Sequence, residues 1–117
     1  MGGAILPGLR LQLSSLAKGT AMLPLTDIPV ELPTRWAKET GIAIQSGVIY
    51  TILAGMKNYV VSWLEEFPES KIVFTGGDHS ILFTHFTTLF PQLAAIVIDA
   101  PDLIFWGMAR VTNIQLD

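Results

Sequence analysis

From Ile42 to Leu64 apolar side chains recur at helical spacing, with Ile42, Ile49, Leu53, Met56, Val60 and Leu64 in one stripe. The opposite side is also rather apolar (Tyr50, Ile52, Tyr59, Trp63), as expected of a helix covered on two sides. Thr34 is a suitable N-cap, so the pattern predicts a helix from Arg35-Trp36 to Phe67, with Gly41 and Gly47 as candidate breaks. Upstream, Leu9, Leu13 and Leu16 fall on one helical face, and Gly19 is a plausible stop. Residues 2–8 are glycine-rich and extended, and Pro24, Pro29 and Pro33 punctuate an aperiodic stretch read as a surface loop.

Downstream the period changes. Lys71 to Thr75 is a short apolar run suited to a buried strand, and a helix follows from about Ser80 to Leu89, closed by Pro91. Ala95-Ile96-Val97-Ile98 forms a second strand. Pro101 and Asp102 suit the first turn of a last helix through Phe105, Met108 and Val111. Strands alternating with helices predict an α/β fold with a parallel strand pair. Two strands are too few for a complete sheet, so its other members are expected upstream of Gly2.

Composition sharpens this. At 117 residues the chain is one domain at most, half hydrophobic and only 15% charged, where small domains usually carry about 25%. That imbalance predicts that part of its surface is covered by other protein. Net charge is −3 without a basic cluster, which argues against nucleic acid. No cysteine occurs, so disulfides and thiolate metal sites are excluded. Lys57, Asn58 and Ser62 interrupt one apolar window and Asp99, Pro101 and Asp102 another, so neither supplies the roughly 20 apolar residues of a membrane span. The first residues lack a basic region before their apolar stretch, so they are not expected to be a secretory signal, and Leu6 stands where a myristoylation signal needs Ser or Thr. The expected compartment is the cytoplasm.

The residues that could carry chemistry are few. Gly76-Gly77 can make a turn that a side chain would forbid, and Asp78 can cap the helix after it. Such a strand–turn–helix junction is where open α/β sheets accept nucleotides, although the turn alone is a weak motif that a purely structural role explains better. Thr40 can cap a helical break or present its hydroxyl to a ligand. His79 and His85 lie six residues apart, about 240° around a helix, so they do not share a metal. Asp99 and Asp102 are better explained by a turn and a helix start than by acid–base work, and Arg10 and Arg35 are isolated, solvent-facing cations.

Three stretches together resemble the type III pantothenate kinase family, also called Bvg accessory factor-like. Residues 2–9 match its Gly-Gly-x-Ile-x-Pro-Gly, and residues 40–47 its Thr-x-x-Ala-Ile-x-Ser-Gly. Thr75-Gly76-Gly77-Asp78, with Ala100-Pro101-Asp102-Leu103 and Gly107-Met108-Ala109 beyond it, matches the family's C-terminal pattern. The resemblance spans nearly the whole chain but only about half of a family member. It implies that residues 1–117 are the C-terminal half of an acetate kinase/actin/Hsp70-type (ribonuclease H-like) α/β fold, with an incomplete sheet. It implies ATP-dependent phosphorylation of pantothenate, the first step towards coenzyme A, by a homodimer using a divalent metal such as Mg and a monovalent cation such as K or ammonium. Thr40 corresponds to the pantothenate-contacting threonine, and Gly76 and Gly77 to the turn beside the adenosine end of the nucleotide.

The family's N-terminal segments are absent: Asp-x-Gly-Asn for phosphate, Gly-x-Asp-Arg for the catalytic base and substrate arginine, and Asp-x-Gly-Thr-Ala-Thr for cation and phosphates. The resemblance therefore implies part of a kinase, inactive without its N-terminal half. The alternative is a non-catalytic dimerisation or interaction module that binds a partner through the apolar helix at 42–64. A DNA-associated regulator is disfavoured by the acidic balance.

Overall fold

In the computed structural model, residues 4–19, 23–74, 79–99 and 110–111 are described. The elements are α1 (Leu9–Gly19), α2 (Thr40–Glu66), β1 (Lys71–Phe74), α3 (His79–Leu89), α4 (Pro91–Ala94), β2 (Val97–Asp99) and β3 (Arg110–Val111). The architecture is a mainly helical α/β arrangement with little strand. One hydrophobic cluster unites Leu9 and Leu13 of α1, the stripe of α2, Ile72 and Phe74 of β1, Leu82 and Phe86 of α3, Ala94 and Val97.

α2 runs unbroken for 27 residues through Gly41, Gly47 and Gly55. Each interior glycine costs a helix about 1 kcal/mol relative to alanine. Against that, Ile44, Val48, Ile49, Ile52, Leu53, Met56 and Val60 are all buried, and each such side chain contributes about 1.5–3 kcal/mol. Burial wins. The helix stops at Phe67, which leaves helical torsions ahead of Pro68 and gives its N–H to the Trp63 carbonyl at 2.7 Å.

Its start differs from the expectation. Residues 35–39 are irregular and α2 begins at Thr40, after Glu39 in an extended conformation. Thr34 therefore does not cap it. The backbone before Thr40 is held by tertiary contacts instead: Ser46 Oγ donates to the Arg35 carbonyl at 2.6 Å, and Tyr50 Oη to that of Pro33 at 2.7 Å.

β1 is the middle strand, in the order β2-β1-β3. It pairs in parallel with β2 (Ile72 with Val97, Val73 with Ile98, Phe74 with Asp99), as the strand–helix alternation predicts. Ile72, Val73 and Phe74 are consecutive and all buried, the sign of a strand covered on both faces. β2 starts two residues later than expected, because the N–H groups of Ala95 and Ile96 close α4 onto the carbonyls of Pro91 and Leu93. α4 itself was not foreseen: Pro91 ends α3 and also opens this short helix from its first turn.

A second correction concerns Val111, expected in a last helix. It lies in β3, antiparallel to β1, with Val111 opposite Lys71 and Arg110 opposite Ile72. The open edge of β1 supplies backbone partners that outweigh the local helical pattern. The rest of that expected helix, with Asp102, Phe105 and Met108, lies outside the described residues.

Gly47 and Gly55 have nothing within 4 Å of the position a Cβ would take. The chain's own packing therefore does not require glycine there. Gly47→Ala in the isolated chain is expected to raise the unfolding free energy by about 0.5–1 kcal/mol; an unchanged or lower urea midpoint would contradict it.

Candidate functional site

The antiparallel meeting of α1 and α2 leaves an open groove of about 510 Å³, at whose rim α2 begins. Thr40, Ala43, Gly47 and Thr51 line it from α2, and Gln12, Ser15 and Leu16 from α1. These α2 residues recur every three or four positions and thus share one face. Leu23 contributes from the loop between the helices. Thr40 is exposed, so its hydroxyl is available to a ligand rather than committed to the core. Gly47, lacking a side chain, keeps the floor open.

Two of the polar groups are already oriented. Gln12 donates through Nε2 to the Pro7 carbonyl at 2.8 Å, and Ser15 Oγ donates to the Gln12 carbonyl at 2.9 Å. Glu39 makes no side-chain cap on α2. The described lining carries no ionisable side chain. Such a surface can hold hydroxyl and amide groups and apolar stems. It offers no base to take a proton and no cation to hold a phosphate.

Toward the other end of the seam the groove adjoins a smaller furrow of about 140 Å³ between Ala4, Ile5 and Leu6 and the α2 residues Gly55, Met56 and Tyr59. Gln12 and Thr51 border both cavities. Ile5 is 78% and Tyr59 52% exposed, so the furrow is rimmed by apolar side chains in water.

Other expected site residues fare differently. Gly76 and Gly77, with Thr75 and Asp78, lie outside the described residues; β1 ends just before them and α3 starts just after. Arg35 is exposed, but its guanidinium stacks 4.0 Å from the Tyr50 ring centre, so it is not an isolated cation. His85 is buried, with Nε2 3.4 Å from the Pro29 carbonyl. The side chains of His79 and Asp99 lie outside what is described. Among the described residues no three His, Asp or Glu side chains gather as a metal site, and no helix is long and apolar enough to cross a membrane.

Sequence reasoning singled out Thr40 but missed Gln12, Ser15 and Thr51, which share the groove only because α1 folds back along α2. It also missed Ser46 and Tyr50. Ser46 carried a readable signal: a hydroxyl next to the apolar run Val48-Ile49, on a helix expected to be covered on two sides.

Fold and groove define an α/β protein with a neutral, hydroxyl-bearing groove at the start of its longest helix. Comparison with known proteins makes this specific: the sequence profile of the type III pantothenate kinase family matches residues 1–62. The chain belongs to that family, whose members have an actin-like fold. It is 47% identical to a type III pantothenate kinase of Nostoc sp. (strain PCC 7120) over 113 residues, 95% of this chain and 41% of the relative. Corresponding enzymes of Synechococcus sp. (strain JA-3-3Ab) and Synechocystis sp. (strain ATCC 27184) are 44% and 43% identical, over 93% and 95% of this chain and 44% and 43% of theirs. The chain thus spans less than half the length of these curated relatives.

Proposed function

We propose that this chain is the C-terminal portion of a pantothenate kinase, contributing the Thr40 groove to pantothenate and the Gly76-Gly77 turn to the adenosine end of ATP. The observation that carries this is the identity to the Nostoc enzyme along nearly the whole chain, with Thr40 opening onto a groove suited to a hydroxylated amide. Pantothenate is such a molecule. In the reaction its primary hydroxyl attacks the γ-phosphorus, the bond from that phosphorus to the β–γ bridging oxygen breaks, and the hydroxyl proton passes to a base.

The described lining of the groove supplies no such base. Nor do the described residues fit a divalent metal, since no set of three carboxylate or imidazole ligands gathers among them. In this reading the groups that hold Mg, the K or ammonium ion and the ATP phosphates belong to the remainder of the enzyme, and this chain alone is expected to be inactive. Strands from that remainder extend the sheet beyond β2 or β3, since β1 already has a neighbour on each side. The complete enzyme is a cytoplasmic homodimer in this reading, and exposed Ile42, Tyr59 and Val61 on α2 are surface that a second subunit would cover. The same exposed side chains favour the second reading, an interaction module that has kept the fold without the chemistry.

Mixing this chain with the separately expressed portion of the Nostoc relative that it does not match separates the two. The expected result is ATP-dependent pantothenate phosphorylation by the mixture and by neither part alone. A stable complex without turnover would favour the module, and turnover by this chain alone would overturn the assignment of catalysis to the remainder.

A further inference from the structure

We infer that Ser46 and Tyr50 are positioning residues for Thr40, acting as a clamp on the loop that leads into α2; this rests on the kinase reading for its substrate but not for its mechanics. The described part of that loop, residues 23–39, contains neither helix nor strand. Ordered loops of such length in compact domains are commonly functional. α2 holds this one by its carbonyls. Gln45 Nε2 donates to Asp27 at 2.9 Å, Ser46 Oγ to Arg35 at 2.6 Å and Tyr50 Oη to Pro33 at 2.7 Å. Arg35 is gripped twice, since its guanidinium also lies 4.0 Å from the Tyr50 ring centre. The loop further crosses the first turn of α2 at Thr26, whose methyl would be 3.7 Å from a Cβ at Gly41.

The direction of the Ser46 hydroxyl is the telling detail. Hydroxyl side chains inside helices ordinarily bond a carbonyl of the preceding turn, and Thr84, Thr87 and Thr88 of α3 do so, each to the residue four before it. Ser46 is 4% exposed and instead donates outward to the loop. That bond is needed because the start of α2 lacks local fixing: Glu39 provides no side-chain cap. Free N–H groups of an uncapped first turn fray readily. Arg35 and Pro33 carry the nearest carbonyls before Thr40 that a side chain of α2 holds. Without them the next side-chain tie is at Pro29, beside His85 Nε2, and the intervening chain is long enough to let the first turn unwind. Thr40 is the residue that such unwinding displaces from the groove rim. A binding residue in place only part of the time weakens apparent affinity by that fraction, without altering the groups that transfer phosphate.

The test uses Ser46→Ala, Tyr50→Phe (which keeps the ring under Arg35) and Ser46→Thr as the conservative variant. In this chain, hydrogen exchange should quicken about tenfold in Ser46→Ala and Tyr50→Phe at the Ala43 amide, which bonds the Glu39 carbonyl at 2.9 Å. Exchange at Val60 should not change. In the enzyme assembled with the remainder of the Nostoc relative, both variants should raise KM for pantothenate about 5–10-fold, with kcat and KM for ATP unchanged, and Ser46→Thr should restore both readouts. Unchanged exchange at Ala43 would overturn the clamp. Faster exchange with an unchanged pantothenate KM, or a fall in kcat that Ser46→Thr does not rescue, would overturn its role in positioning Thr40. An assembled parent without turnover would instead sink the kinase reading, and the clamp would then stand or fall on the exchange result.

Discussion

Phe86→Ala will lower the unfolding free energy by about 3–5 kcal/mol, the range for removing a large buried aromatic side chain. Phe86 is fully buried on α3, where it joins helix to sheet. Its ring meets Phe74 of β1 edge-on at 5.1 Å between centroids, and Phe90 at 5.2 Å. Phe74 in turn meets Phe83 at 6.4 Å. Truncation leaves a cavity that these rings cannot close without leaving their edge-to-face geometry. A domain of this size has a total stability on the order of 5–15 kcal/mol, so the loss is a large part of the whole. Urea unfolding followed by tryptophan fluorescence checks it. Thr87→Ala on the same helix, an exposed position, should stay within about 0.5 kcal/mol of the parent. A Phe86→Ala midpoint as close to the parent as that would mean that α3 does not pack on β1 as described.

Phe86 also marks where the sequence was readable. The periodic stripe from Ile49 to Val60, the Leu9–Leu13 face and the β1–α3–β2 order all express burial, and burial leaves a period in the sequence. Three features left none. The start of α2 is displaced from Arg35 to Thr40 because the carbonyls of Pro33 and Arg35 are taken by Tyr50 and Ser46, partners 17 and 11 residues away. β3 is only two residues long, too short for alternation, and exists because β1 has an edge to offer it. The groove is likewise a product of two helices. Thr40 could be named from a motif resemblance, but Gln12 and Ser15 join it in the groove only once α1 lies against α2.

Thr40→Val in the assembled enzyme should raise KM for pantothenate about 10–100-fold while leaving kcat and KM for ATP close to the parent. Valine keeps the shape of threonine and removes only the hydroxyl. Thr40 is exposed and Glu39 already lacks a side-chain cap, so folding has little to lose and stability should change by less than about 0.5 kcal/mol. A hydrogen bond to a ligand is worth about 1–3 kcal/mol when its loss leaves a partner unsatisfied, which brackets the stated range in affinity. Thr40→Ser, which keeps the hydroxyl, should recover most of it. The two variants together separate recognition from packing: a side chain that mattered for shape would suffer more from serine than from valine. Steady-state kinetics with pantothenate varied at saturating ATP, then ATP varied at saturating pantothenate, decide the matter. Equal falls in kcat for both substrates would move Thr40 from substrate binding to the chemical step. An unchanged pantothenate KM would place the substrate elsewhere than the α1–α2 groove.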